Sequence, residues 1–284
     1  MRTAAFGLIV NALVLALFGA ATAAPQSPPQ RIISLAPSVT ETLFALDIGE
    51  RVVGVSTYCD YPPAALRIER VGTFLQPNVE RILALRPDLV IAVPSPGNRA
   101  PVERLERLGV SVLVVDPQRI TDVFHATRAI AAATGVPEAG ERLVASIERA
   151  LATVEVRLEG ARRVSVLMLV GRSPLVAAGS GTFQDELITR ARGENIAAAA
   201  GKAWPNLTLE FVIARAPEII IDAGMGSEQA DAAGAKEFWQ RFPNLPAVRH
   251  GRIYGYGAYE LLRPGPRVAH TLEIVARFIH PERF

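Results

Sequence analysis

Short apolar runs alternate with amphipathic segments along most of the chain. Seven runs are strand-like, four before residue 120 and three after residue 160, at 32–35, 52–55, 89–93, 112–115, 164–170, 219–221 and 253–256. Runs this continuously apolar are typical of parallel strands that are covered on both faces. Their alternation with helical segments predicts two Rossmann-like α/β units with mainly parallel sheets.

The segment 137–160 has an unbroken helical pattern and separates the two sets of strands. Its apolar positions step by three or four residues, at Leu143, Ile147, Leu151, Val154 and Leu158. A helix of this length spans about 35 Å, which suits a rigid strut. We therefore predict an N-terminal lobe at 24–136, a linking backbone helix at 137–160 and a C-terminal lobe at 161–284. The alternative is an ordinary surface helix within a single domain.

An internal repeat supports the two-lobe interpretation. The segment 80–91 repeats 130 positions later (210 − 80 = 130), and the two copies begin with Glu80 and Glu210. Two residues before each glutamate stands a residue that favours helix N-caps, Asn78 or Thr208. Each copy therefore predicts a capped helix, a proline stop and a buried strand. Two acids at matched places indicate a paired role, such as docking charges on one edge of the molecule.

The N-terminus has the three-part layout of a secretory signal. Arg2 supplies the positive end, an apolar run follows at 6–18, and Ala21-Thr22-Ala23 is a small-residue cleavage motif. We predict a signal peptide at 1–23 and a periplasmic mature protein without a lipid anchor. The alternative is a transmembrane anchor, although the apolar run is shorter than the roughly 20 residues that a bilayer requires.

Composition and motifs argue against several other classes. The 284 residues carry a formal charge of only +2 without a basic block, so a nucleic-acid surface is not expected. The one cysteine, Cys59, excludes an internal disulfide. The four histidines lack metal-ligand spacing, and neither a nucleophile-elbow nor a phosphate-loop motif occurs. We therefore expect no metal site, no cofactor and no enzymatic activity.

The sequence resembles a known family. The resemblance covers the predicted mature chain, and it is carried by the segments 31–39, 58–63, 77–91, 203–205, 210–221 and 263–267. They are similar to periplasmic binding proteins of the helical-backbone class, which serve ABC importers of ferric siderophores, haem and cobalamin. Within that class, Tyr58 with Tyr61-Pro62-Pro63, and Trp204 with Pro205, resemble the cobalamin-binding members most closely.

The resemblance implies a ligand cleft between two lobes and a role for particular residues. It implies that Tyr58 and Trp204 pack on a corrin ring and that Arg263 lines the cleft. It also implies that Glu80 and Glu210 dock onto arginines of the two subunits of a two-fold ABC permease in the inner membrane. The expected protein is a monomer whose transported ligand is cobalamin or a related corrinoid.

Several residues depart from the pattern of the cobalamin binders. Phe74 and Val93 stand where those proteins carry tryptophan, and Tyr259 stands where they carry an acid. Phe74 and Tyr259 are accordingly candidate cleft aromatics. Phe183, which follows a glycine-rich loop after the first strand of the second set, is a further candidate because ligands bind at the carboxyl ends of parallel strands.

These departures leave other ligands open. A ferric siderophore would use arginines, for which Arg99, Arg172 and Arg263 are candidates, and haem would use Tyr58 or Tyr259 as an axial ligand. A remote alternative is an exported α/β hydrolase with a serine nucleophile such as Ser180.

Overall fold

The computed structural model describes residues 27–224, 232–256 and 259–284. The predicted signal peptide at 1–23 lies outside the described residues. Within them, no helix is long and apolar enough to cross a membrane.

The first sheet is built from five parallel strands. They are β1 (Ile32–Ser34), β2 (Val52–Val55), β3 (Glu69–Arg70), β4 (Leu89–Ala92) and β5 (Val112–Val114). The strand order is β3-β2-β1-β4-β5. Strands β2 and β3 are added on one side of β1, and β4 and β5 on the other, so the order switches between β1 and β4. A reversal of this kind opens a crevice at the carboxyl ends of the strands.

Helices cover both faces of this sheet, as the apolar strand pattern predicts. They are α1 (Pro37–Ala45), α2 (Val79–Ala84) and α3 (Arg99–Arg107), followed by α4 (Ile120–Ala133). Alternate residues of β1 enter different cores: Ile32 packs in the same cluster as Leu43 of α1, and Ile33 packs with Ile82 of α2. The N-terminal lobe is therefore a three-layer α/β unit.

The second sheet is mixed. Its strands are β6 (Val164–Arg172), β7 (Leu175–Ala177), β8 (Gly193–Asn195), β9 (Asn206–Leu207), β10 (Ile219–Asp222) and β11 (Ile253–Gly255). The order is β11-β10-β6-β7-β9, and β8 also pairs with β6. The strands β8, β10 and β11 are parallel to their partners, whereas β7 and β9 are antiparallel.

Helices of the C-terminal lobe flank this sheet. They are α6 (Phe183–Arg190), α7 (Leu209–Arg215), α8 (Ala232–Gln240), α9 (Pro246–Arg249) and α10 (Val268–Ile279). The parallel core β6-β10-β11 confirms the predicted fold class, and the antiparallel edge is a feature that the sequence pattern did not predict.

The long linking helix is α5, at Pro137–Arg157. It begins at the predicted proline and ends three residues before the predicted boundary, because the chain turns at Gly160, whose φ is +73°. The predicted apolar stripe is its packed side: Ile147, Leu151 and Val154 are buried in the core beneath β6. Helix α5 contacts both α4 and α10, so it lies against both lobes.

Helix α4 also joins the two lobes, which the sequence did not indicate. Ile120 and Val123 in its first turn belong to the core of the C-terminal lobe. Ile130 and Ala131 in its last turns belong to the core of the N-terminal lobe. Helices α4 and α5 approach closely, since a Cβ on Gly140 would lie 2.5 Å from the Cβ of Ala131.

Candidate ligand-binding site

A cavity of about 390 Å³ lies between the two lobes. Its N-terminal wall follows the carboxyl ends of β1 to β4, and its C-terminal wall is a turn near the start of α10. The lining residues are Ala36, Pro37, Ser38, Tyr58, Phe74, Val93, Tyr259, Leu262, Arg263 and Pro264. The cavity therefore sits at the crevice that the strand order opens.

Four of the six predicted ligand contacts meet in this cavity. Tyr58, Phe74, Tyr259 and Arg263 all line it, and Tyr58 is 54 % exposed. Three aromatic rings from two lobes give the cavity a largely apolar surface with few polar groups. Such a surface suits a large flat ligand, which aromatic faces can cover.

Asn98 holds two walls of the cavity in place. It is 2 % exposed, and its Nδ2 donates to the carbonyl oxygens of Val93 at 2.8 Å and Phe74 at 3.2 Å. Its Oδ1 accepts from the amide of Ser95 at 3.0 Å. Sequence reasoning missed this residue, although an asparagine directly before α3 is a recognisable N-cap type.

Arg263 lines the cavity but its charge is already paired. Its Nη1 contacts Asp60 Oδ1 at 2.5 Å, and its Nη2 donates to the carbonyl oxygen of Tyr58 at 3.0 Å. Burial alone raises the pKa of Asp60, but the hydrogen bond and the positive charge of Arg263 outweigh it and lower that pKa. The guanidinium of Arg263 also lies over the Tyr259 ring, 5.3 Å from its centroid.

A second arginine completes a cluster of charges beside the cavity. Arg267 donates to both carboxylate oxygens of Glu41 at 2.8 Å. Its Nη1 contacts Glu260 at 2.6 Å, and its guanidinium lies 4.0 Å from the centroid of the Tyr61 ring. Glu41 belongs to α1 and Arg267 precedes α10, so this pairing joins the two lobes.

The structure corrects the expectation for Phe183. Its side chain is 3 % exposed in the core beneath β6, on the same face of α6 as Leu187, and it does not line the cavity. The glycine-rich loop before it packs against a neighbouring loop instead, with the amide of Gly179 donating to the carbonyl oxygen of Ala203 at 2.7 Å.

Trp204, the sixth predicted contact, lies in the loop before β9. It is 49 % exposed and is not among the residues that line the cavity. Its contact with a ligand stays a prediction.

The two repeated glutamates occupy matched positions in short capped helices. The N-cap prediction is confirmed, because Asn78 Oδ1 accepts from the third helical amide at 2.9 Å and Thr208 Oγ1 does so at 3.2 Å. Glu80 is exposed and forms an ion pair with Arg104 at 3.0 Å. Glu210 is fully exposed, and a hydrogen bond with its own backbone amide, together with one from Thr208, lowers its pKa. Neither carboxylate lines the cavity between the lobes.

The other candidate arginines are paired away from the cavity. Arg172 contacts Asp222 at 2.6 Å, and Arg99 contacts Glu103 at 2.9 Å. Across residues 27–224, 232–256 and 259–284, His, Cys, Asp and Glu side chains form no group that could hold a metal ion.

Comparisons with known proteins identify the family of this chain. A family model described as periplasmic binding protein matches residues 32–260. The vitamin B12-binding protein of Salmonella typhi is 35 % identical over 218 residues, which are 77 % of this chain and 80 % of the relative.

Solved structures of related proteins have the same fold. The vitamin B12-binding protein BtuF of Vibrio cholerae has a TM-score of 0.77 at 29 % identity, covering 89 % of this chain and 98 % of that one. The heme-binding protein RhuT from Roseiflexus sp. RS-1 has a TM-score of 0.80 at 30 % identity, covering 90 % and 99 %. The family and its relatives are solute-binding proteins, so the hydrolase alternative is withdrawn. The chain belongs to the periplasmic binding protein family.

Proposed function

We propose that the protein captures a corrinoid such as cobalamin in the periplasm and delivers it to an ABC importer. The observation that carries this proposal is the cavity between the lobes, which has Tyr58, Phe74 and Tyr259 in its walls. A corrin ring is broad and flat, and its amide side chains are uncharged. Aromatic walls with few polar groups match that chemistry, and the similarity to vitamin B12-binding proteins supports the same ligand class.

The charges around the cavity argue against an anionic siderophore. Binding such a ligand calls for cationic side chains that can pair with it. Among the described residues that line the cavity, Arg263 is the one arginine, and Asp60 and the Tyr58 carbonyl oxygen already engage its guanidinium. An anion would have to compete with these contacts.

Haem is the second candidate ligand. The fold similarity to a heme-binding protein at 30 % identity favours it, and the Tyr58 and Tyr259 phenols at the cavity could serve as axial ligands to iron. A haem complex would have an intense Soret absorbance, which distinguishes it from a corrinoid complex.

Delivery is proposed to use the two exposed glutamates. Glu80 and Glu210 occupy equivalent helix starts in the two lobes, and a two-fold permease offers one matched partner to each. Carboxylate–guanidinium pairs at such an interface supply orientation as well as affinity. Export by a cleaved signal peptide at 1–23 and a monomeric state belong to the same proposal.

Calorimetric titration of the purified protein with cyanocobalamin tests the ligand. We expect one site with a Kd tighter than about 100 μM, because weaker binding corresponds to only about −5.5 kcal/mol and would not capture a scarce solute. If cyanocobalamin does not bind and hemin gives a stoichiometric Soret band, haem and not a corrinoid is the ligand.

Tryptophan fluorescence gives an independent readout of the same titration. Trp239 is completely buried in the C-terminal lobe, whereas Trp204 is half exposed. We expect the ligand-dependent quenching to be smaller in Trp204→Phe than in Trp239→Phe.

A further inference from the structure

The charged cluster beside the cavity is a bridge between the two lobes, and one of its members, Arg263, also lines the cavity. The N-terminal lobe contributes Glu41 and Asp60, and the C-terminal lobe contributes Glu260, Arg263 and Arg267. Its arginine–carboxylate contacts between the lobes range from 2.5 to 3.4 Å. Charged groups held at these distances from two lobes resist a change in the spacing between them.

Glu41 is the buried centre of this bridge. It is 3 % exposed, and its two oxygens receive a two-pronged hydrogen bond from Arg267. Its Oε1 also lies 3.4 Å from Nη1 of Arg263. A buried carboxylate needs charged partners with good geometry, so Glu41 favours only those lobe positions that bring both arginines to it.

The bridge is connected directly to the aromatic walls of the cavity. Arg263 holds the Tyr58 backbone through its carbonyl oxygen and lies over the Tyr259 ring. Glu41 itself is not a lining residue. An effect of Glu41 on a ligand is therefore indirect, and the arginines that it holds provide a route for it.

Taken with the proposed function, on which it rests, this geometry leads to one inference. We propose that Glu41 is a positioning residue for the ligand cavity: by holding Arg267 and Arg263 across the lobes, it sets the separation of the Tyr58 and Tyr259 walls before a ligand arrives. If the walls are already ordered, less conformational entropy is lost when the ligand binds, and the affinity is higher.

The test replaces Glu41 by glutamine, which keeps the volume and removes the charge. The control is Glu218→Gln. Glu218 lies at the amino end of β10, opposite to the carboxyl ends at which the cavity lies, where it pairs with Arg162 at 2.6 Å and accepts a hydrogen bond from the Ser165 amide. Both substitutions remove a carboxylate with a structural partner, so both are expected to lower the melting temperature. Only the Glu41 change should alter the cavity.

Two measurements separate positioning from stability. The first is the Kd for cyanocobalamin, at a temperature well below both melting transitions. The second is the distance distribution between spin labels on Leu108→Cys in the N-terminal lobe and Ile213→Cys in the C-terminal lobe, both exposed positions. The natural Cys59 is buried, so labelling should be confined to the introduced cysteines.

We expect Glu41→Gln to weaken binding about ten-fold and to broaden the ligand-free distance distribution, with cyanocobalamin narrowing it again. Glu218→Gln should change neither quantity. A Kd within two-fold of the wild type, or an unchanged distribution, would overturn the positioning role and leave Glu41 as a purely structural residue.

Two further outcomes are also informative. If the wild type does not bind cyanocobalamin, the proposed ligand fails, while the distance measurement still decides whether Glu41 sets the lobe separation. If Glu41→Gln does not fold, Arg267→Lys decides by the same two measurements, because it keeps the charge and removes the two-pronged hydrogen bond. A lysine variant that behaves as the wild type would overturn the inference.

Discussion

Replacing Tyr58 by alanine should separate ligand binding from stability. Tyr58 is 54 % exposed, so the fold gains little from its ring. We expect the free energy of unfolding to stay within about 0.5 kcal/mol of the wild type. The effect of the substitution should therefore appear in ligand affinity.

The exposed part of the ring sets the size of that effect. A buried aromatic side chain covers roughly 200 Å², so about 100 Å² of Tyr58 is left for a ligand to cover. At about 25 cal/mol per Å², covering all of it contributes about 2.5 kcal/mol, and covering one face contributes about half as much. The Kd should thus rise between about ten-fold and about seventy-fold.

Calorimetry with cyanocobalamin measures this Kd, and urea unfolding measures the stability. Leu66→Ala is the matched control, because Leu66 is an exposed apolar residue shortly after the same loop and does not line the cavity. A Tyr58→Ala protein that binds within two-fold of the wild type would refute the assignment of this ring to the binding surface.

Three further predictions concern the docking charges, the bridge and the cavity walls. Replacing Glu80 and Glu210 together by alanine should leave the Kd for ligand within about two-fold and should lower uptake through the importer at least about five-fold; unchanged uptake would end the docking proposal. The pKa of Asp60 is lowered in the folded protein from its ordinary value of 3.8. The ionised Asp60 therefore makes its full contribution to the free energy of unfolding above pH 3.8, and this contribution is lost as the pH falls through the folded pKa. The difference in unfolding free energy between wild type and Asp60→Asn should accordingly stay constant from about pH 7 to 5 and shrink below about pH 4; shrinkage already between pH 7 and 6 would point to another group. Asn98→Ala removes hydrogen bonds to two walls and should cost about 2–3 kcal/mol in urea unfolding, so a loss below about 1 kcal/mol would contradict the role given to it.

Local features of the fold were predictable because local chemistry determines them. The N-caps Asn78 and Thr208 could be identified from residue type and spacing, and the buried strands from their unbroken apolar runs. The antiparallel β7 and β9 were missed, since strands of three and two residues have too little pattern and depend on the neighbour they pair with.

The candidate site was only partly predictable for the same reason. A glutamate within α1 reads as an ordinary surface residue, and its partner Arg267 lies 226 positions away in the sequence. Phe183 was misassigned because proximity to a glycine-rich loop indicated the cleft, whereas the face of α6 that it shares with Leu187 turns it into the core. Long-range pairing and the rotation of a helix about its axis are decided by tertiary packing.

The sharing of α4 between two cores has a consequence for how the protein unfolds. Its first turn is buried with β6, its last turns are buried with β1, and α5 packs along it. Neither core can lose its structure without exposing apolar surface of the same helix, so the free energies of the two lobes are coupled. We expect a single calorimetric transition for the whole chain. An N-terminal fragment that ends before α4 should be aggregation-prone, because the helix that completes its core would be missing.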